Sequence, residues 1–292
     1  MTTTTAPPST SGSIGFLHPG EMGSALATLV KSNGFTPYWL AQDRSDATRN
    51  RALRAAMTEI ATIEAFCQHS GIIISICPPH AAMDVARQVA RQGFTGVYID
   101  ANAISPTHAR QVNDIIALGG GRFVDAAIVG PPPGKSTDTR LYLSGESVAE
   151  IARCFASPGL RIINLGAEIG RASSLKMCHS AMHKGQLAML IATLAGAESL
   201  GVRHELTELW GASANTANLA RGMDENFRRL AKAWRFAGEM DEVADTFAGA
   251  GLPAQFPVAA GEIFSRLSTL PDAVTKTQVF ELLLDTTPSK TR

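Results

Sequence analysis

The sequence predicts a doubly wound α/β domain with a mostly parallel sheet, followed by an all-helical domain. Three observations carry this prediction. Short apolar runs alternate with helical stretches through the first half of the chain, the pattern of repeated βα units. Some runs, such as Gly71–Ile76 (GIIISI), are continuously apolar, as expected of strands buried on both faces. After Gly166 the strand signal stops and helical periodicity takes over. A length of 292 residues suits one or two such domains.

In order, strands are expected at 13–17, 36–40, 71–76, 96–100, 122–126, 140–143 and 161–164, with a weaker one at 58–61. Helices are expected between them at 21–32, 45–55, 80–91, 106–118 and 147–156. One long helix should run from about Ile169 to Leu200, longer than a βα unit needs. Shorter helices follow at 205–219, 226–236, 241–248, 256–267 and 272–284, punctuated by Gly222, Gly251–Pro253 and Pro271. The expected organisation is a tail over 1–12, an α/β domain over 13–166 and a helical domain over 167–292, with no linker and no internal repeat. The Thr/Ser/Pro bias of the tail reads as disorder, without the basic start or apolar run of a signal peptide.

Composition narrows the function classes. Hydrophobic residues make up 45 % and charged residues 18 %, so a large core is expected and wholesale disorder is not. The 26 basic and 26 acidic residues balance, which gives no electrostatic reason to expect nucleic acid or an anionic membrane as partner. The Leu187–Val202 stretch is too short and too polar to span a bilayer. Cys67, Cys77, Cys154 and Cys178 lack metal-ligand spacing and suit a reduced, cytoplasmic protein.

Ser13–Gly23 reads SIGFLHPGEMG: a strand, a sharp turn and a helix start. Gly20 and Gly23 hold the second and third places of a G-x-G-x-x-G fingerprint, and His18 stands where the first glycine would be. A bare Gly20 lets backbone approach a pyrophosphate, and Gly23 lets the helix pack on its strand. A structural turn is the alternative. The place after the first strand of an alternating half favours a dinucleotide, held by His18, Pro19, Gly20, Glu21 and Met22. After the second strand the chain reads LAQDRSDATRNR. Asp43 there would suit a ribose 2′-hydroxyl and NADH. Arg44 and Ser45, backed by Arg49, would instead suit a 2′-phosphate through charge-assisted bonds. Several arginines against one acid predict NADPH.

Five segments together resemble the β-hydroxyacid dehydrogenases, relatives of 6-phosphogluconate dehydrogenase. IGFLHPGEMG (14–23) resembles that family's opening I-G-F-I-G-L-G-x-M-G. DANAISP (100–106) is similar to its D-x-S-T-I-x-P segment, with Asn102 in the serine place. DAAIVGP (125–131) lies where the family has D-x-P-V-S-G-G, and GRASSLKMCHS (170–180) resembles its G-x-x-x-x-x-K-x-x-x-N helix. AGLPAQFPVAAGEIFSRL (250–267) resembles its late helical segment. HPGEMG and RASSLKMC look most like a little-characterised branch of that superfamily. The resemblance implies a Rossmann domain, an all-helical second domain, hydride transfer between NAD(P) and an alcohol or carbonyl carbon, an active site in the cleft between domains, and a homodimer through the helical domain.

Within that resemblance Lys176 takes the place of the catalytic lysine. Carbonyl reduction needs a proton donor at the oxygen, and a desolvated lysine can serve. Lys176, Ser180, His183 and Lys184 share one face of the long helix at offsets 0, 4, 7 and 8. Ser180, in the place of the family's asparagine, is expected to orient substrate, and His183 to line the substrate site. Asn102 is expected to bridge the nicotinamide and the substrate oxygen, with an Asx-type turn as its structural alternative. Cys77, Pro78 and Pro79 are expected to line the cofactor groove by shape. Val129 and Gly130 fall on the substrate cradle. That cradle lacks a hydroxyl at Val129 and backbone N–H groups at Pro131, Pro132 and Pro133, so a small carboxylate would be poorly held. Arg171, Lys184 or Arg235 are alternative anchors. The main expectation is an NADPH-dependent dehydrogenase or reductase of an alcohol/carbonyl pair acting on a small molecule. Its rivals are an imine-reductase-like enzyme and a non-catalytic NADP-binding protein. No metal is expected.

Overall fold

The computed structural model describes residues 12–134, 138–213, 216–218, 223–271 and 273–285. Most of the expected tail, along with Gly222 and Asp272, lies outside them. Two compact units divide between Lys176 and Met177.

The first unit holds eight strands: β1 Ser13–Phe16, β2 Thr36–Leu40, β3 Thr58–Ile60, β4 Ile72–Ser75, β5 Val97–Asp100, β6 Arg122–Val129, β7 Thr139–Ser144 and β8 Leu160–Asn164. They form one sheet in the order β3-β2-β1-β4-β5-β6-β7-β8. Neighbours are parallel except β6 and β7, which pair antiparallel. The order reverses between β1 and β4, the switch point outside which ligands bind in open α/β sheets. The turns after β1, β4, β5 and β6 all open on the same carboxyl edge, in a row stepping about 4.8 Å per strand.

Helices α1 Glu21–Ser32, α2 Asp46–Arg54, α3 Ile63–His69, α4 Ala82–Ala90, α5 Pro106–Leu118 and α6 Val148–Cys154 cover the sheet. Apolar strands alternate their side chains between two cores, as a pleated strand must. Ile72 and Ile74 pack with Phe16, Leu26, Val30 and Trp39 on one face. Ile73 packs with Phe66, Ala86, Tyr98 and Val112 on the other. The expected elements are present with ends shifted by a few residues, and α3 is an addition. It is a seven-residue helix whose N-cap Thr62 accepts from Ala65 N–H, and Phe66 and Cys67 bury against the sheet.

The long α7, Arg171–Ser199, runs through the unit boundary. The contact boundary falls inside this helix, whose first turns are bonded to β6, as described below. The second unit continues with α8 Arg203–Ala212, α9 Met223–Arg229, α10 Ala233–Gly249, α11 Gln255–Arg266 and α12 Lys276–Leu284. Separate helices at 226–236 and 241–248 are expected from the sequence. The structure instead has α9, a short 3₁₀ turn, and then α10 unbroken across Gly238, a residue a helix tolerates at a cost of about 1 kcal/mol. At Gly185 an added Cβ would lie 2.3 Å from the Phe256 ring, so glycine lets that ring close on α7.

Candidate active site on the carboxyl edge of the sheet

At the β1–α1 turn, α1 begins at N-cap Gly20 with no side chain capping it. Its first N–H groups therefore lack the usual Ser, Thr or Asp partner, an arrangement that suits an anion. An added Cβ at Gly20 would meet nothing within 4 Å, while one at Gly23 would lie 2.7 Å from the His18 carbonyl. Open space before Gly20 and close packing at Gly23 are what a pyrophosphate-binding turn requires. Ser24 Oγ donates to the carbonyls of Pro19 and Gly20, and Arg51 Nε donates to Pro19 O at 3.3 Å. Arg51, not singled out from the sequence, thus ties α2 to the turn. Its signal was only one more arginine in an arginine-rich segment.

The Arg44 charge acts on His18 at this turn. His18 Nδ1 and Arg44 Nε are buried and have no hydrogen-bond partner. Burial, with the Arg44 charge adding to it, lowers the His18 pKa to about 4. Burial also lowers the pKa of Arg44, while Asp43 and the Cys77 side chain act on it in the opposite sense. Arg44 follows Asp43, which adopts φ 57° in the turn after β2. Ser45 is the N-cap of α2 and accepts from Thr48 N–H. Arg49 is committed elsewhere. It pairs with Glu59 of β3 and stacks over the Trp39 ring at 5.6 Å.

Beyond the switch point the expected bridging role of Asn102 needs correction. Its side chain is only 4 % exposed. Both amide hydrogens are used, on Ser75 Oγ at 3.2 Å and Asp100 Oδ2 at 2.8 Å, and its Oδ1 accepts from Cys77 N–H. A buried amide with its donors spent ties the ends of β4 and β5 together and has none left for nicotinamide or substrate. It is not a helix cap either, since Ser105 caps α5. Cys77 is buried, and burial pushes its thiol up to about 12, so it is no nucleophile. Pro78 is exposed and Pro79 half-buried at the carboxyl edge.

β6 outruns β5 at this edge: Asp125 pairs in register with Asp100, and four further residues follow. Asp125 is buried and accepts four hydrogen bonds. Ser144 Oγ, Gly170 N–H and Ser173 N–H reach one carboxylate oxygen at 3.0–3.1 Å, and Ser173 Oγ reaches the other at 2.7 Å. Burial pushes its pKa up, and these donors pull it back down. It caps the N-terminus of α7, where negative charge is favoured. One turn and a half later, half-buried Lys176 donates from Nζ to the Ile128 carbonyl at 2.9 Å. The strand that follows the family's D-x-P-V-S-G-G segment thus holds α7 at two points. Asp125 carried no sequence signal beyond its place in that segment. Val129 is half-buried and Gly130 exposed at φ 114°, where an added Cβ would lie 2.9 Å from Asp138 O.

In the second unit the expected polar stripe of α7 divides. Ser180 is 2 % exposed and donates to Glu239 of α10, and Lys184 pairs with the same carboxylate while lying 5.1 Å over the Phe236 ring. The Ser180 hydroxyl is therefore spent on Glu239 and offers substrate no donor. His183 is exposed and stacks on His179 at 5.4 Å.

An α/β unit with this strand order, an uncapped glycine turn at its switch point and a sheet-edge lysine defines a nicotinamide-dinucleotide-binding oxidoreductase domain. Comparison with known proteins agrees. The NAD-binding domain of 6-phosphogluconate dehydrogenase matches residues 13–166, and a domain of unknown function (DUF1932) matches 197–267. The chain belongs to this NAD-binding 6-phosphogluconate dehydrogenase family, within the β-hydroxyacid dehydrogenase-like superfamily. A solved conserved protein described as structurally similar to 3-hydroxyacid dehydrogenases is 30 % identical, with 92 % of this chain and 99 % of that one covered and a TM-score of 0.64. Mitochondrial 3-hydroxyisobutyrate dehydrogenase of Drosophila melanogaster is 25 % identical over 66 % of this chain and 59 % of that protein. A reductive aminase from Aspergillus terreus, solved with NADPH and ethyl levulinate, shares the fold at 19 % identity and a TM-score of 0.56, over 92 % and 98 % of the two chains.

Proposed function

We propose that this protein is an NADPH-dependent oxidoreductase of an alcohol/carbonyl pair, with Lys176 as the proton relay. The observation that carries this reading is the 2.9 Å bond from Lys176 Nζ to Ile128 O, on the strand leading into Val129 and Gly130. An ammonium has three donors, so one holds the group on β6 while another is available to a substrate oxygen. The bound nicotinamide would supply or accept the hydride. The turn residues His18–Met22 would hold its phosphates, Arg44 and Ser45 would favour a 2′-phosphate, and Cys77–Pro79 would line its groove. Lys176 would give a proton to the oxygen as a carbonyl is reduced, or take one as an alcohol is oxidised.

Reduction of a C=N bond is the second reading. It is favoured by the lack of a hydroxyl at Val129 and of backbone N–H groups at Pro131–Pro133, which leaves fewer donors for the carboxylate of a small hydroxyacid. A panel of carbonyl compounds and cyclic imines with NADPH separates the two, and turnover of imines alone overturns the first. On any substrate found, Lys176→Ala should lower kcat by about 10²–10⁴-fold with little change in NADPH affinity, and Lys176→Arg should not rescue it. Substantial kcat in the arginine variant would sink the relay.

Four free thiols accord with a cytoplasmic protein, and no helix among the described residues is long and apolar enough to cross a membrane. A homodimer is part of the same reading: α7 exposes Met182 at 64 % and Met189 at 59 %, seven residues apart on one helical face. Light scattering at micromolar concentration should give twice the 30.9 kDa chain mass, and a monomer would contradict this.

A further inference from the structure

His18 occupies the one fingerprint place where the turn departs from glycine, and an imidazole there needs a reason beyond sterics. Three observations bear on it. Its Nδ1 is buried with no hydrogen-bond partner. Arg44, whose charge acts on His18, also has a buried unpartnered nitrogen, Nε. Next to both is the uncapped start of α1, with open space before Gly20. Two buried nitrogens left unpaired are unfavourable unless a ligand or a proton changes the balance. The charged and titratable groups at this turn are Arg44 of the β2–α2 turn, with Asp43 and the Cys77 side chain acting on it, Arg51 of α2 on the adjacent Pro19 carbonyl, and Glu21 opening α1. Of these, the Arg44 charge bears on His18 directly.

We infer that His18 and Arg44 form a proton-coupled clamp for a phosphate of the dinucleotide: when that phosphate binds, His18 takes one proton from solvent and donates through it to a phosphate oxygen. The inference rests on the nucleotide-binding reading of this turn. In the free protein the half-buried imidazole lies under the Arg44 charge and stays neutral, with its pKa at about 4. A phosphate beside Arg44 cancels that repulsion and adds an acceptor, so the imidazolium becomes the favoured form. Binding is then linked to pH through His18, an effect absent from a turn with glycine in that place.

Calorimetric titration of the full-length protein, in buffers of differing ionisation enthalpy, counts the protons taken up. Because the 2′-phosphate of NADPH titrates in the same range, the informative quantity is wild type minus His18→Asn. We expect a difference of about one half to one proton per site near pH 6, with wild-type affinity falling about tenfold more than the variant's between about pH 6 and pH 8. The same difference with NADH assigns the clamp to the pyrophosphate; its restriction to NADPH assigns it to the 2′-phosphate. Equal uptake by both proteins, or none, overturns the clamp while leaving nucleotide binding intact. Failure of both cofactors to bind wild type overturns the nucleotide reading itself, and the clamp with it. If His18→Asn does not fold, Arg44→Gln tests the same idea. The His18 imidazole resonance of the free protein should then titrate at higher pH than in wild type, and an unchanged titration overturns the clamp.

Discussion

The two ends of the carboxyl edge are built on opposite plans. At the β6–α7 junction Asp125 has four donors on its carboxylate and Lys176 is tied to Ile128, so the polar groups satisfy one another inside the protein. At the β1–α1 turn His18 Nδ1 and Arg44 Nε are buried without partners and the helix start is uncapped. A satisfied network holds one geometry whether or not a ligand is present, whereas an unsatisfied one stores unfavourable free energy that a ligand can relieve. The first plan suits a proton relay that must be positioned in advance. The second suits a site whose missing partner is an anion.

This contrast can be broken by substitution. Asp125→Ala leaves the Gly170 and Ser173 N–H groups and two hydroxyls without their acceptor. It should lower the urea unfolding free energy by about 3–5 kcal/mol, since several buried donors lose their acceptor at about 1–3 kcal/mol each. A loss below about 1 kcal/mol would mean that the junction is no anchor. At the open end Arg44→Ala should instead cost binding, about 1.5–3 kcal/mol for NADPH and much less for NADH, for one charge-assisted bond to a 2′-phosphate. Equal losses for both cofactors would remove Arg44 from that phosphate. Arg49→Ala is the control, because its pairing with half-exposed Glu59 predicts a change in either affinity below about 0.5 kcal/mol.

His18 sharpens the comparison through pH. Its pKa is about 4 in the native state against 6.5 as its ordinary value. The unfolded chain therefore binds this proton first as pH falls. The stability is fully present above pH 6.5 and is lost progressively until the native histidine protonates near 4. Discounted for the partial exposure of the ring, the loss is about 1–2 kcal/mol. Urea unfolding of cofactor-free protein near pH 7.5 and near pH 4.5 should show that difference relative to His18→Asn. Parallel pH profiles would show that His18 is not held neutral.

Much of the site was legible in sequence order. The β1 turn, the β2–α2 arginines and Lys176 each lie next to an element whose periodicity is clear, and their place on the carboxyl edge follows from parallel βα topology. Asn102 and Ser180 were legible as polar residues in the right segments but not as residues already spent. Whether an amide or hydroxyl faces substrate depends on Ser75, Asp100 and Glu239, which lie 27, 2 and 59 residues away in the chain. The Arg49–Glu59 pair likewise joins α2 to β3 and could not be read from the segment alone. No local pattern encodes such pairings.

By itself the sequence determined the alternation of strands and helices, the glycine turn, the helical second half and the family. These depend on periodicity, backbone freedom and residue type, all local properties of the chain. Only the tertiary structure decided which polar groups are satisfied. A hydrogen bond is made or left unmade by atoms that folding brings together from distant segments, and that decided that Asp125, Asn102 and Ser180 are internal while His18 and Arg44 still lack partners.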